Sequence, residues 1–429
     1  MTNLTRRSLL AAGAALAAAP TAAQAQAGDL AFLSTQLRPV EEATKMREII
    51  LRSAPVRTTY VTDEPQNLTT RMRAEAQAGR RTVSLVGALH GELQPLAAEY
   101  LDPLDDVAAT LADRGIPQNL LTLGKFGTAQ QRYIPWMQAT YIMAAHRRAL
   151  EFLPAGADIN ALSYEQLNAW AGAIRQRTNQ RRLGFPAGPR GLMARFFQGY
   201  LYPSFTGGVV RSFRAPEAVG AWEAMKAMWA NASPASTTYN FMQEPLAAGE
   251  VWIAFDHVAR LLDALRGAPN DFVTFPAPAG PMGRGYMPVI AGLGIARGAP
   301  NRAGAVSVIE YLSRPATQLR LAAETGFFPV VRAELPADLP PAVRLAANAI
   351  AATQNARDAR VSLLPVGLGD KGGEFNKVYM DTFQRIVLRN ENIRTVLDAE
   401  ANALRTVMNA TGAPCWSPDA PSDGACPVA

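Results

Sequence analysis

The sequence predicts an α/β protein, because strand and helix patterns alternate along residues 29–88 and again along residues 250–275. The first region has the order strand, helix, strand, helix, strand, at spacings that favour a parallel sheet with right-handed crossovers. Its predicted elements are strand Asp29–Thr35, helix Glu42–Arg52, strand Arg57–Thr62, helix Asn67–Ala78 and strand Thr82–Ala88.

Local signals support these elements. Strand Asp29–Thr35 is a short apolar run typical of a buried strand, and helix Glu42–Arg52 repeats its apolar residues on one face. Helix Asn67–Ala78 is followed by Gly79, which suits a left-handed helix cap. Because ligands of such sheets bind at the carboxyl ends of the strands, we expect binding residues just after each strand.

A second α/β unit follows a mainly helical middle region. The apolar stripes of helices Ser163–Arg177 and Pro216–Ala230 are typical of core packing. The run Pro276–Pro281 then breaks the pattern and favours a connection near a hinge. The later predicted elements are strand Met287–Ala296 and helices Asn301–Ser313, Pro315–Glu324, Pro340–Thr353, Gly373–Leu388 and Asn392–Met408. About 400 residues after the first 27 favour two large domains or lobes.

Residues 1–27 have the composition of a removable export signal. Arg6 and Arg7 precede the apolar run Leu9–Ala19, and small residues follow at 23–27. The arginine pair resembles a twin-arginine signal, and the apolar run is too short to span a bilayer. We therefore expect a protein exported to the periplasm, with this segment removed.

Charge and motifs argue against several function classes. The chain carries a net charge of +6, but its basic and acidic residues are interspersed, which does not favour nucleic-acid binding. The three histidines form no zinc-protease motif, and no nucleophile elbow is present. We expect a protein without cofactor or catalytic residues; an exported hydrolase is the alternative from another class.

Two cysteines, Cys415 and Cys426, lie in a tail rich in proline, serine and aspartate. In an oxidising compartment this pair is most simply a structural disulfide. Metal binding is less favoured because no further thiolate or nearby histidine is present. We predict a stapled, non-helical strap over residues 411–429.

Several motifs in a fixed order resemble one known family. They are Tyr133–Tyr141, the step Leu246–Val251, the run Pro276–Gly285, Ala291–Ile295 with helix Ala303–Ser313, and Arg314 through Val330. Together with the export signal, they make the chain similar to the family 1 extracellular solute-binding proteins, the maltose-binding-protein-like receptors of carbohydrate ABC importers. The resemblance covers about residues 29–410.

The resemblance implies a two-lobed periplasmic-binding-protein fold (type II-like), with discontinuous lobes joined by hinge strands. Lobe 1 is expected at 28–137 and 288–335, and lobe 2 at 138–287 and 336–410. A monomer would capture a carbohydrate, plain, charged or substituted, between the lobes and deliver it to the membrane permease. A non-sugar solute (polyamine, metal ion or phosphorylated compound) is the alternative.

The resemblance also implies ligand contacts by position. The candidates are Gln36, Glu64, His90, Trp136, Gln138, Arg190, Trp252, Asp256, His257 and Tyr286. Flat aromatic rings suit the apolar faces of a sugar, and charged or amide groups suit its hydroxyls. Other roles stay open: core packing for the two tryptophans, an N-cap for Asp256, and simple exposure for His90 and Arg190. If His90 and Arg190 both line the cleft, an acidic or substituted sugar is favoured.

Overall fold

The structure, a computed structural model, describes residues 29–36 and 40–429 of the chain. The predicted export signal at 1–27 lies outside the described residues. The described part is an α/β fold, as predicted, with two main sheets and one short two-stranded sheet.

The first sheet is built from the beginning of the chain and one later strand. Its order is β2-β1-β3-β10-β4, with β1 parallel to both neighbours and β10 antiparallel to β3 and β4. These strands are β1 (Leu30–Ser34), β2 (Thr58–Thr62), β3 (Leu85–Leu89), β4 (Ile134–Ala139) and β10 (Val289–Ile295). The parallel β1–β3 core confirms the sheet that the first α/β pattern predicts.

The second sheet comes from the middle of the chain. Its order is β6-β7-β5-β8, with β5 antiparallel to β7 and β8. These strands are β5 (Tyr141–His146), β6 (Leu183–Gly184), β7 (Ile253–His257) and β8 (Phe272–Phe275). A separate parallel pair joins β9 (Arg284–Tyr286) to β11 (Ala359–Val361), which the sequence did not predict.

Helices cover both sheets. In chain order they are α1 (Val40–Lys45), α2 (Pro65–Gln77), α3 (His90–Ala97), α4 (Asp105–Thr110), α5 (Gln118–Leu123), α6 (Tyr164–Thr178), α7 (Met193–Phe196), α8 (Tyr202–Thr206), α9 (Pro216–Trp229), α10 (Gln243–Ala247), α11 (Leu262–Gly267), α12 (Arg302–Leu312), α13 (Pro315–Thr325), α14 (Pro341–Gln354), α15 (Gly372–Phe383) and α16 (Ile393–Thr411). Single π-helical turns extend α1, α7 and α15. Within the described ranges, no helix has the length and apolar content needed to cross a bilayer.

Two of the segments that cross between the lobes lie side by side. Strand β4 ends at Ala139 and β5 begins at Tyr141, so the first crossing lies at Thr140. The Thr140 hydroxyl donates to the Met287 carbonyl at 2.9 Å, on the segment that returns from β9 to β10. The Tyr200 hydroxyl lies 3.0 Å from that of Thr140 and 3.1 Å from the Tyr141 amide nitrogen. This arrangement is that of two lobes joined by adjacent hinge segments. The exact lobe limits given above stay predictions.

The C-terminal tail is fastened to the second lobe. Helix α16 ends at Thr411 and is capped by Gly412 in the left-handed conformation (φ 63°), and Cys415 and Cys426 form the predicted disulfide. The carboxylate of Asp419 accepts hydrogen bonds from the amides of Val209, Val210 and Arg211 at 2.7–3.2 Å. The tail is therefore held by a covalent bond and by a buried carboxylate.

Substituting Cys415 by serine should destabilise the protein without changing ligand affinity. The bond closes a loop with a sequence separation of 11, and opening it should cost about 2–3 kcal/mol of unfolding free energy on the chain-entropy model. Urea unfolding with and without reductant measures this loss. If reductant shifts the unfolding midpoints of the wild type and Cys415→Ser equally, the loss does not come from the bond.

Candidate ligand-binding site

The candidate site is the groove between the two lobes. From the first lobe, the carboxyl ends of β1 and β2 and the start of α3 face it, as expected of a parallel sheet. From the second lobe, the end of β7 faces it, because His257 pairs with Tyr141 at the crossing. Helix α11 also contacts the first lobe, since the Arg266 guanidinium donates to the carbonyls of Ala323 and Glu324 at 2.7 and 2.8 Å.

The carboxylate of Glu92 lies on the first-lobe wall, in the segment after the third predicted strand where binding residues are expected, although Glu92 is not among the ten listed candidates. One of its oxygens accepts from the Thr35 hydroxyl at 2.7 Å and from the Leu89 amide at 2.9 Å. Burial raises the pKa of Glu92, and the charge of Glu64 raises it further. The predicted residues Gln36 and Glu64 both lie here: Gln36 is buried just after β1, and Glu64 is exposed at the start of α2.

His90 is placed differently from both predictions for it. It is the first residue of α3 rather than a loop residue, and it is buried. Its Nδ1 lies 2.9 Å from the Tyr133 hydroxyl, and its ring stacks on Phe126 with centroids 5.0 Å apart. Burial lowers the pKa of His90 to about 4. The ring therefore belongs to the aromatic interior of the first lobe.

The predicted pair Asp256 and His257 forms part of the second-lobe wall. Asp256 is fully buried and accepts from the amides of Met242 and His257 at 3.0 and 2.7 Å. His257, rather than Asp256, caps the following turn, because its Nδ1 accepts from the Ala259 amide at 3.3 Å. Its ring also lies 5.2 Å from that of Tyr141 and 5.5 Å from that of Phe327. Burial raises the pKa of Asp256 to about 6 and lowers that of His257 to about 3.

Two arginines that sequence reasoning missed line the same wall. Arg260 is nearly buried; its Nη1 donates to the carbonyls of Asn240 and Arg190 at 3.0 and 3.4 Å. Its guanidinium also lies 4.5 Å from the Phe241 ring centroid. Arg195 donates to the Gln198 side chain at 2.9 Å, and its charge lowers the pKa of Glu92 across the groove. The position of Arg260 in the helix predicted directly after Asp256 was the one sequence signal for it.

A buried carboxylate faces these arginines from the first lobe. Glu42, in α1, is 3% exposed, and its Oε1 has no hydrogen-bond partner among the described residues. Burial raises the pKa of Glu42, and the charges of Lys45 and, from the second lobe, Arg260 partly oppose that rise. Glu42 and Glu92 of the first lobe thus lie opposite a second-lobe wall that carries both the Asp256 carboxyl and guanidinium groups.

Three further predicted contacts make contacts within the protein. Trp136 is fully buried with its ring 5.6 Å from that of Phe32, in the core that was its alternative role. The Gln138 side chain donates to the Pro329 carbonyl at 2.8 Å, which fastens β4 to the segment after α13. The Tyr286 hydroxyl accepts from the Gln354 side chain at 3.0 Å. Trp136 thus packs in the first-lobe core, and Gln138 and Tyr286 each bond to another segment of the protein.

The remaining two predicted contacts, Trp252 and Arg190, lie in different parts of the second lobe. Trp252 lies at the opposite end of β7 from His257, half-buried between the guanidinium groups of Arg148 and Arg182, each 5.3 Å from its ring. Trp252 therefore lies away from the other candidate residues of the second lobe. Arg190 is exposed, and its backbone amide donates to the Asn240 side chain at 2.8 Å. Its loop borders the groove beside Arg260.

Comparison with known proteins decides the family. The model of the family described as bacterial extracellular solute-binding protein matches residues 53–349, more than half of the chain. The chain belongs to the bacterial extracellular solute-binding proteins. Membership of this family implies an exported or periplasmic solute-binding protein. No curated protein matches the sequence at a significant level.

Solved structures support the two-lobed fold of this solute-binding protein. The GacH receptor of Streptomyces glaucescens GLA.O, solved unliganded and with acarbose, is 16% identical with a TM-score of 0.69, over 89% of this chain and 98% of that chain. UgpB from Mycobacterium tuberculosis, in complex with glycerophosphocholine, is 18% identical with a TM-score of 0.71, over 89% and 99%. The sugar-binding protein MalE from Xanthomonas citri is 15% identical with a TM-score of 0.70, over 89% and 98%. The predicted fold is therefore confirmed.

We expect the free energy of unfolding of this solute-binding protein to depend on pH through Glu42. Burial raises the pKa of Glu42 to about 8, from 4.5 in the unfolded chain. The stability contributed by the protonated form is fully present below pH 4.5 and is lost as the pH rises to about 8. Between pH 5.5 and 7, the range between these two pKa values, we expect the wild type to lose on the order of 1 kcal/mol per pH unit relative to Glu42→Gln.

Urea unfolding at several pH values measures this difference. The exposed neighbour Glu41 provides the matched control, since Glu41→Gln should follow the wild type. A Glu42→Gln profile parallel to the wild type over this range would contradict a protonated, buried Glu42.

Proposed function

We propose that this protein captures a carbohydrate between its two lobes and delivers it unchanged to the permease of an ABC importer. It acts as a periplasmic monomer, and residues 1–27 direct its export through the twin-arginine pathway and are then removed. Family membership supports the binding role, and the sugar-bound or sugar-binding solved relatives support the ligand class.

The observation that carries the proposal is the division of polar groups between the lobes. Glu92 with Thr35 on one side and Asp256 with Arg260 on the other can make charge-assisted hydrogen bonds to hydroxyl groups. The rings that surround His257 offer apolar surface to the C–H faces of a sugar. Because each lobe supplies only half of these groups, a bound sugar stabilises the closed arrangement.

The arginines favour one second candidate, an acidic or phosphorylated solute. Arg190, Arg195 and Arg260 border the groove on one side, and guanidinium groups bind carboxylate and phosphate in a bidentate manner. The related UgpB was solved with glycerophosphocholine, a phosphodiester. Within the described residues, His, Cys, Asp and Glu side chains form no group of three that could hold a metal ion.

A thermal-shift panel on the mature protein tests the proposal. Neutral sugars, sugar acids, phosphorylated polyols, polyamines and divalent metal ions are added separately, and a specific ligand raises the melting temperature. We expect the response from a sugar or sugar acid. A response confined to polyamines or metal ions would overturn the carbohydrate assignment, and a ligand recovered chemically altered would identify an enzyme.

Calorimetry on matched variants then locates the site. Arg260→Gln should weaken binding of the responding sugar by at least about tenfold, because a charge-assisted contact is lost. Arg148→Gln removes the same charge at the far end of the second sheet, against Trp252, and should leave affinity unchanged. Equal affinities for both variants would exclude the groove beside Arg260.

A further inference from the structure

The Tyr200 side chain lies where the two hinge segments meet. It is fully buried, in the π-helical turn Phe197–Leu201 between α7 and α8. Single turns of this kind are rare and often occur at functional sites. The chain around Tyr200 packs directly on the segment that returns to the first lobe, since a Cβ atom on Gly285 would lie 2.6 Å from Tyr200 Cα. The second lobe therefore presents the Tyr200 hydroxyl group to the crossing between β4 and β5.

The Tyr200 hydroxyl group bonds to both backbone polar groups of Tyr141. It accepts from the Tyr141 amide and donates to the Tyr141 carbonyl, each at 3.1 Å. Strand β8 begins to pair with β5 at Met143, so it does not reach Tyr141. The hydroxyl group thus supplies, at the first residue of β5, the partner that a neighbouring strand supplies further along. Because buried backbone groups require such partners, this contact fixes the course of the chain just after the crossing.

A second hydroxyl group extends the network to the returning segment. The hydroxyl oxygens of Tyr200 and Thr140 lie 3.0 Å apart, and the Thr140 hydroxyl donates to the Met287 carbonyl at 2.9 Å. Thr140 lies in the first crossing, and Met287 lies between β9 and β10 in the second. All three residues are fully buried. Two hydroxyl groups thus tie both crossings to one point of the second lobe, away from solvent.

The same crossing carries the second-lobe wall of the groove. The Thr140 carbonyl accepts from the Val258 amide at 3.0 Å, and Tyr141 pairs with His257. A change of backbone angle at the crossing therefore moves this wall with respect to the first lobe. Tyr200 acts on the groove through these strands.

We propose that Tyr200 is a positioning residue for lobe closure, which holds both hinge segments on one axis through its hydroxyl group and that of Thr140. With this network intact, the lobes follow a narrow path between the open and closed arrangements. Without it, the ligand-free lobes sample a wider range of orientations, and fewer molecules have both walls of the groove correctly placed. The apparent dissociation constant rises as that fraction falls. This effect on affinity rests on the function proposed above, whereas the effect on the ligand-free lobes does not.

Distances between spin labels on the two lobes test the ligand-free protein. Gln77, at the end of α2, and Gln176, in α6, are exposed and can be replaced with labelled cysteines. We expect Tyr200→Phe to broaden the distribution of distances between the labels, because the hinge segments are no longer held together.

Tyr202→Phe is the matched control. The Tyr202 hydroxyl group is also fully buried, and it bonds to the Phe213 carbonyl at 3.1 Å and to Trp222 Nε1 at 2.9 Å, both within the second lobe. Its removal takes away the same chemical group without touching the hinge. Tyr202→Phe should therefore give the distance distribution of the wild type.

Calorimetry with the sugar found in the thermal-shift panel tests the effect on affinity. Tyr200→Phe should bind at least about fivefold more weakly than the wild type, and Thr140→Val, which keeps the side-chain shape, should also bind more weakly. Because both changes act on one network, the double variant should lose less affinity than the product of the two separate losses. Tyr202→Phe should bind as the wild type does.

Equal distance distributions in Tyr200→Phe and Tyr202→Phe would overturn the proposal. Equal affinities of these two variants would do the same, as would losses in Tyr200→Phe and Thr140→Val that multiply fully in the double variant. If the wild type binds no sugar, the proposed function fails, and the distances between the labels alone decide the role of Tyr200.

Discussion

Replacing Trp136 with alanine should lower the free energy of unfolding by about 3–5 kcal/mol. The indole is fully buried in the first lobe, with its ring 5.6 Å from that of Phe32. A Cβ atom placed on Gly87 would lie 3.2 Å from the same indole, so the strands pack closely around it. Removing the side chain leaves a cavity that this interior cannot readily fill. Urea unfolding monitored by circular dichroism measures the loss.

Trp252→Ala makes the same chemical change at a half-buried position. This ring packs between two guanidinium groups at the outer end of the second sheet, so its removal should cost distinctly less than that of Trp136. If Trp136→Ala keeps its stability and loses ligand affinity, the indole is a ligand contact, as its place in the crossing segment suggests. The comparison therefore decides between two roles that the sequence leaves open.

The order of elements could be predicted because it depends on local patterns. Strand β2, predicted at Arg57–Thr62, is found at Thr58–Thr62, and α2, predicted at Asn67–Ala78, is found at Pro65–Gln77. Strand β7 begins at Ile253 rather than at the predicted Glu250. The reason lies in a distant partner: the amides of Trp252 and Ile253 both donate to the Arg182 carbonyl, at 2.7 and 3.1 Å.

The short pair β9–β11 shows why other parts could not be predicted. It joins Arg284–Tyr286 to Ala359–Val361, and three residues in each segment are too few to give a periodic signal. The pairing depends on how the second lobe folds as a whole. The strap at residues 411–429 could be predicted because two cysteines and several prolines lie within it.

The candidate site was predicted where it follows strand ends and missed where helices supply it. Gln36, Glu64 and Asp256 follow from the rule that ligands bind at the ends of strands. Glu42 and Arg260 lie on helical segments, where one charged residue resembles any solvated one until the packing is known. His90 shows another case: it follows a predicted strand, but it begins a helix and its ring packs inward against Tyr133.

Replacing Gly91 with alanine should weaken ligand binding by at least about tenfold while the fold is retained. Gly91 is the second residue of α3, and a Cβ atom there would lie 2.2 Å from the carbonyl oxygen of Pro365. Pro365 lies between β11 and α15, in the part of the chain that we assign to the second lobe. A methyl group at this position would therefore hold the lobes apart. A ligand that contacts both lobes would then bind more weakly, because some of its contacts would be lost.

Gly373 offers a matched control on the facing segment. It lies in the first turn of α15, and a Cβ atom there would meet no other atom within 4 Å. Gly373→Ala should therefore bind the sugar found in the thermal-shift panel as the wild type does. X-ray scattering adds an independent measure, because Gly91→Ala should contract less than the wild type when this sugar is added. Unchanged affinity and contraction in Gly91→Ala would mean that the approach of Gly91 to Pro365 is not part of the ligand-bound state, and that binding does not require this closure.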